Sequence, residues 1–204
     1  MTQALLIHKD NPQLRLLRIA TEALHAGKII IYPTDSNYAL GCQVGNKHAL
    51  ERICILRGLE KDHKFTLMCR DLSDVSRYAK VSNTAFRIMK AHIPGPYTFI
   101  LPASGELPKR LQENKRKTIG VYVPACKITQ ALLAEFGEPL LTTSCIFQYD
   151  AAPLCDPHDI YMRCKGRVDF ILDSGIADAL PTTVVDLTVD PPVVLRRGKG
   201  PFGG

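Results

Sequence analysis

Apolar and polar positions along this chain follow two periods, and the period decides which element each segment can form. Leu16, Leu17, Ala20, Ala23 and Leu24 recur at helical spacing, which predicts a first helix with one buried face. Asn11 is placed to cap it, Pro12 takes the favoured first position and Gly27 ends it. The run IIIY at 29–32 has no polar alternation and reads as an interior strand buried on both faces. The two periods then take turns. Helices are expected over 46–58, between Asn46 as cap and Gly58 as terminator, over 82–92, opened by Ser82 or Asn83, and over 128–137, ending at Gly137. Strands are expected over 65–69, 97–101, 118–123 and 139–144, and, after a polar and less regular span, over 168–173, 182–187 and 192–196. Helices and strands interleave for two thirds of the chain and strands dominate the last third. That order predicts one α/β domain around a mixed, twisted sheet, over residues 10–200, with a loose tail at 201–204.

Polar residues interrupt this pattern where strands end. The strand at 29–32 runs into Thr34, Asp35, Ser36 and Asn37 before the apolar sequence resumes with Tyr-Ala-Leu-Gly. A plain turn needs fewer polar groups, whereas a ligand site at the end of a buried strand uses such a cluster well. Thr142, Thr143 and Ser144 close another strand, Thr182 and Thr183 open one, and Arg196 and Arg197 end one. Hydroxyls suit a small amino acid or a sugar, and arginines hold phosphates or carboxylates. The same hydroxyls also cap turns, so no single cluster settles the matter.

Composition narrows the class. With 46% hydrophobic and 23% charged residues over 204 positions, the chain has the make-up of one globular domain. Its apolar runs fall far short of the roughly 20 residues that span a bilayer, and its start lacks the pattern of a secretory signal, so a cytoplasmic protein without membrane contact is expected. None of the seven cysteines forms a CxxC pair, which favours reduced thiols over a disulfide framework. The net charge of +6 is bunched at 60–64, 108–110, 114–118 and 195–200, where it would attract the phosphates of a nucleotide or of an RNA backbone. The P-loop, the dinucleotide glycine fingerprint and the serine elbow are all missing. The CDPHD run at 155–159 reads as a helix start, with Asp156 as cap and Pro157 first, rather than as a metal site. His63, between Lys61 and Lys64, is placed to donate to an anion.

Several strings now line up in order: IIIYPTDSNYALGC, ILRGLEKDHKFTLMC, PGPYTFIL, KTIGVYVP, PLLTTS and PTTVVDLTVDPPVVLRRG. Together they resemble the YrdC/YciO family, which includes threonylcarbamoyl-AMP synthases, and the HKFTLMCRDLS and RKTIGVYVP stretches look like its YciO branch. The resemblance implies the YrdC-like fold, a single open mixed sheet with helices packed on it and a basic concave surface. It also implies an activity in which L-threonine, bicarbonate and ATP with Mg²⁺ give threonylcarbamoyl-AMP and pyrophosphate, for modification of adenosine in tRNA. By the same resemblance, Thr34, His63 and Thr182 are expected on the amino-acid side of a pocket, and Arg57, Ser144 and Arg196 on the nucleotide side. An alternative implied by the family is binding of double-stranded RNA or the ribosome without synthase activity, through Lys115, Arg116 and Lys117. A pocket for another small anion is a third reading.

Three positions depart from the synthase pattern. Leu59 replaces the second cation of the KxR motif, Ile146 replaces the amide of the SxN motif, and Tyr122 stands where the synthases carry an arginine for the threonine carboxylate. Each loss of a charge-assisted contact costs about 1.5–3 kcal/mol, so weak or altered activity is expected. Lys61, Lys64 and Lys117 are the cations available to compensate.

Overall fold

The computed structural model describes residues 1–59, 63–108, 111 and 117–203. Its elements run β1 (Gln3–Leu6), α1 (Leu14–His25), β2 (Ile30–Pro33), β3 (Tyr38–Gln43), α2 (Lys47–Arg57), β4 (Thr66–Met68), α3 (Leu72–Tyr78), α4 (Asn83–His92) and β5 (Tyr97–Pro102). They continue with β6 (Thr118–Tyr122), α5 (Lys127–Phe136), β7 (Leu140–Ser144), α6 (Pro157–Cys164), β8 (Phe170–Asp173), β9 (Thr183–Asp186) and β10 (Val193–Arg196). The strands form one mixed sheet in the order β1-β8-β2-β3-β7-β4-β6-β5-β9-β10.

Local chemistry explains most boundaries. Asn46 Oδ1 accepts the Ala49 N–H to open α2, and Gly58, at φ +64°, ends it in the left-handed conformation. Ser82 caps α4, and Asp156 caps α6 with Pro157 behind it. The start of α1 differs from expectation. His8 Nδ1 accepts the N–H groups of Asp10 and Asn11, and Gln13 Oε1 accepts that of His8. This turn absorbs Asn11 and Pro12, so Gln13 becomes the cap residue and Leu14 the first helical one. Helix α3, capped by Asp71, the edge strand β1 and the interior strand β3 had no counterpart among the expected elements. Near the end of the chain, the Pro201 C=O accepts the Tyr97 hydroxyl at 2.8 Å and the Phe202 ring centre lies 4.8 Å from that of His92.

The sheet has two unlike faces. On one, Cys42, Leu141, Leu67, Val121, Phe99 and Val185 pair in register across six strands and are all buried in the main core with α2, α3, α4 and α6. On the other, α1 and α5 cover Ile30, Tyr32, Ala39, Leu140 and Leu172 in a second core. The next row on that face is Gly41, Thr142, Thr66, Gly120, Ile100 and Asp186, which are small, hydroxylic or charged apart from Ile100. Beyond α1 and α5 this face opens into a cavity of about 1030 Å³.

Candidate functional site

The cavity floor is the face of the sheet. Thr142, Thr66, Gly120, Ile100 and Asp186 all line it, with Thr98 and Thr118 beside them. The site is therefore not confined to the carboxyl ends of strands. Antiparallel neighbours bring the end of β7 beside the start of β4, and the empty face between them holds the ligand space. Gly120 keeps the floor low: a Cβ there would meet Thr66 Oγ1 at 3.1 Å. At Gly41 the missing Cβ makes room for the Tyr32 ring, whose hydroxyl donates to Thr142 Oγ1 at 2.9 Å. Four strands on this wall, β4, β5, β6 and β7, carry threonines that line it, a signal present in the strings FTLM, YTFIL, KTIGVY and LTTS that expectation used only in part.

All six residues expected around a pocket line this one cavity: Thr34, Arg57, His63, Ser144, Thr182 and Arg196. The structure groups them differently from the expected amino-acid and nucleotide sides. Arg57, 7% exposed, donates through Nε to the Ile146 carbonyl and through Nη1 to Thr143 Oγ1. His63 Nε2 lies 3.0 Å from the same hydroxyl and 3.4 Å from Arg57 Nη1. Thus Arg57 and His63, assigned to opposite sides, share one cluster. No carboxylate pairs with Arg57 among the described residues, and burial pushes its guanidinium below the usual arginine range. Arg196 and Thr182 form the second cluster. The guanidinium donates to the Thr182 carbonyl at 3.0 and 3.2 Å, and Thr182 Oγ1 lies 2.9 Å from Thr98 Oγ1. Lys115, Arg116 and Lys61 lie outside the described residues, and Lys117 is exposed and does not line the cavity.

Thr34, Asp35, Ser36 and Asn37 turn out to be the turn of the β2–β3 hairpin. Thr34 donates twice to the Asn37 carbonyl, from N–H at 3.0 Å and from Oγ1 at 2.7 Å. The turn and the site are therefore one structure. Its Asp35 reaches Tyr122: the phenol donates to Asp35 Oδ2 at 2.7 Å, and the Ala125 N–H donates to the same oxygen at 2.8 Å. Burial first, and the Asp35 charge second, raise the Tyr122 hydroxyl well above the ordinary tyrosine range, so it stays protonated at neutral pH. At this end the cavity wall therefore carries a neutral phenol. Ile146 also lines the cavity, offering its backbone oxygen to Arg57, while Leu59 packs against the main core.

The described charges on the wall are Arg57, Lys64 and Arg196, with Asp186 the one carboxylate. Asp186 Oδ1 accepts both the N–H and the hydroxyl of Thr188. No group of three or more His, Cys, Asp or Glu is placed to hold a metal among the described residues. No helix there is long and apolar enough to cross a membrane.

The chain matches the family profile described as "Telomere recombination" (Sua5/YciO/YrdC) over residues 22–198. It is 52% identical to the YciO protein of Escherichia coli (strain K12) over 200 residues, 98% of this chain and 97% of that one. The crystal structure of E. coli YciO superposes with a TM-score of 0.94, covering 98% of both chains. A threonylcarbamoyl-AMP synthase of Pyrococcus abyssi (strain GE5 / Orsay) is 30% identical over 188 residues, 91% of this chain but 55% of that protein. The P. abyssi Sua5 structure complexed with L-threonine aligns with a TM-score of 0.89 at 26% identity, over 96% of this chain and 57% of that one. The fold is that of these structures, a single α/β domain with an open mixed sheet and helices packed on it.

Proposed function

The chain belongs to the Sua5/YciO/YrdC family, and from that premise we propose that its cavity binds ATP beside a small acyl-group donor and carries out a nucleotidyl transfer of the threonylcarbamoyl-AMP synthase type. In that reaction an N-carboxylated amino acid attacks the α-phosphorus of ATP, the bond to the β-phosphate oxygen breaks, and pyrophosphate leaves. The observation that supports the reading is Arg57, a buried guanidinium facing a hydroxyl-lined cavity with no carboxylate paired to it among the described residues. A buried cation without a counter-charge is costly, and an anionic ligand supplies the missing partner. Ser144 and Arg196 line the same cavity and would neutralise and orient further phosphate oxygens.

Mg²⁺ fits this wall only in company with the nucleotide. A single carboxylate, Asp186, with one oxygen already taken by Thr188, is a poor site for the ion alone. Held by phosphates, the ion would supply charge neutralisation. Tyr122 changes the acyl end: it puts a neutral phenol at the Thr34 turn, where the nearby cation, Lys199, donates to the Asp35 carbonyl and is already paired with Asp178, so the hold on an amino-acid carboxylate is weakened and turnover with L-threonine is slow.

Pyrophosphate release from ATP, Mg²⁺, L-threonine and bicarbonate, with each omitted in turn and an authentic synthase in parallel, tests the reading. ATP binding by calorimetry, release well below the synthase rate, and loss of both in Arg57→Met are expected. A correctly folded chain that binds no ATP overturns it. A double-stranded RNA role gains no support from the described residues.

A further inference from the structure

One end of the cavity floor carries two hydrogen-bond acceptors that the fold leaves without donors. Asp186 closes the row that runs from Thr142 through Thr66, Gly120 and Ile100, and it is 6% exposed. Its Oδ1 accepts the Thr188 N–H at 2.8 Å and the Thr188 hydroxyl at 2.6 Å, and its Oδ2 accepts from none of the described residues. That oxygen is not sealed in. Among the described residues, the one buried side-chain nitrogen or oxygen without a partner is Asn37 Nδ2, so Asp186 Oδ2 meets the cavity that the residue lines. Thr188 is partly buried and lines the same wall. A hydroxyl has one proton, and this one is given to Asp186, so toward the cavity Thr188 Oγ1 can only accept.

Two neighbouring acceptors, one of them a carboxylate, suit a ligand group that brings two donors. Phosphate oxygens bring none, and the carboxylate repels them. A vicinal diol brings both. In the reaction proposed above the amino acid enters with its nitrogen carboxylated, so the ribose of the nucleotide is the group with two adjacent hydroxyls to offer. The ladder places the pair accordingly. Residues two apart on a strand share a face, so Asp186 and Val184 look into the cavity together, and Val184 pairs with Arg196, which lines it too. Two residues along a strand are about 7 Å apart, which matches the reach from a phosphate held by Arg196 to the sugar hydroxyls. Ile100, across from Asp186, and Val184 give the sugar an apolar surface to lie on.

We infer that Asp186 Oδ2 and Thr188 Oγ1 accept the vicinal hydroxyls of the nucleotide's ribose, which makes the cavity selective for ribonucleotides over deoxyribonucleotides. This rests on the nucleotide-binding reading above and deepens it. Neither residue stood among the expected site residues; the open acceptors mark them.

Calorimetric titration of the whole chain with ATP, 2′-deoxy-ATP, 3′-deoxy-ATP and inosine triphosphate, each with Mg²⁺, tests the assignment. Wild type should bind at least one deoxy form about ten- to a hundredfold more weakly than ATP, the loss of one hydrogen bond to a charged group. Asp186→Asn still accepts from Thr188 through its amide oxygen but turns an N–H toward the ligand. It should weaken ATP and bring the deoxy forms level with it. Thr188→Val should narrow the same gap and Thr188→Ser should keep it, and this pair carries the comparison if Asp186→Asn lowers the melting temperature. Deoxy forms that bind wild type as ATP does, with inosine triphosphate the weak ligand, would move the donor to the base amine and overturn the assignment. Equal binding of all four, or a gap that persists in both Asp186→Asn and Thr188→Val, also overturns it while leaving the functional reading intact. Wild type that binds no ATP overturns both.

Discussion

At the scale of single residues, Tyr122 shows how one side chain changes both stability and site. Its hydroxyl serves the Asp35 carboxylate, so Tyr122→Phe should lower unfolding stability by about 1.5–3 kcal/mol, read from urea midpoints at neutral pH. The same pair sets an alkaline limit. A tyrosine whose folded pKa is raised holds its proton more tightly when folded. Its stabilisation is complete below about pH 10, the unfolded value, and is lost as pH climbs through the folded one. Wild type should therefore lose stability above about pH 10, and Tyr122→Phe should lose it less steeply. Burial also raises Tyr32, Tyr38 and Tyr78, so the slope is reduced rather than abolished. An identical slope in the variant would show that Tyr122 does not titrate with unfolding. Thr34, His63, Ser144, Thr182 and Arg196 were legible as polar residues near apolar runs, and Arg57 only through the family resemblance. Asn37 was visible only as part of a turn, because an unsatisfied amide is a property of its surroundings.

At the scale of elements, the β2–β3 hairpin connects core to cavity. Tyr32 crosses over Gly41, and its hydroxyl reaches Thr142 on the floor. A Cβ at Gly41 would sit 2.6 Å from Tyr32 Cε1. Gly41→Ala should accordingly displace the ring, break its bond to Thr142 and cost about 1–3 kcal/mol in denaturant unfolding. An unchanged midpoint would show that the ring moves aside freely. Helix limits at Asn46, Gly58, Ser82, Asp156 and Gly137 were readable because caps act within a few residues. The start of α1 was not, because the His8 ring draws Asp10 and Asn11 into a separate turn. β1 was missed for a related reason: its four residues, mostly exposed, become a strand only by pairing with β8, far along the chain.

At the scale of the whole molecule, helices cover one face of the sheet and leave part of the other open. The last segment helps to hold this frame. Phe202 meets His92 and the Pro201 carbonyl receives the Tyr97 hydroxyl, while Gly200 C=O accepts from Thr183 at the head of β9. Phe202→Ala should lower stability by about 1 kcal/mol, a part of the value for a fully buried phenylalanine, as measured by thermal unfolding. No change would mean that the ring contact contributes nothing in solution.

The sequence by itself determined the interleaving of helices and strands, the family, and the inventory of hydroxyls and arginines, since periodicity, caps and motif order are written in neighbouring residues. Only the tertiary structure decided their partners. Strand order places Thr66, from one strand, between Thr142 and Gly120 from two others, and the packing of α1 and α5 decides which part of that face stays open. Arg57 joins His63 and Thr143, Arg196 joins Thr182, and the Asn37 amide nitrogen has no partner among the described residues, because hydrogen bonds and burial depend on residues brought together from distant parts of the chain.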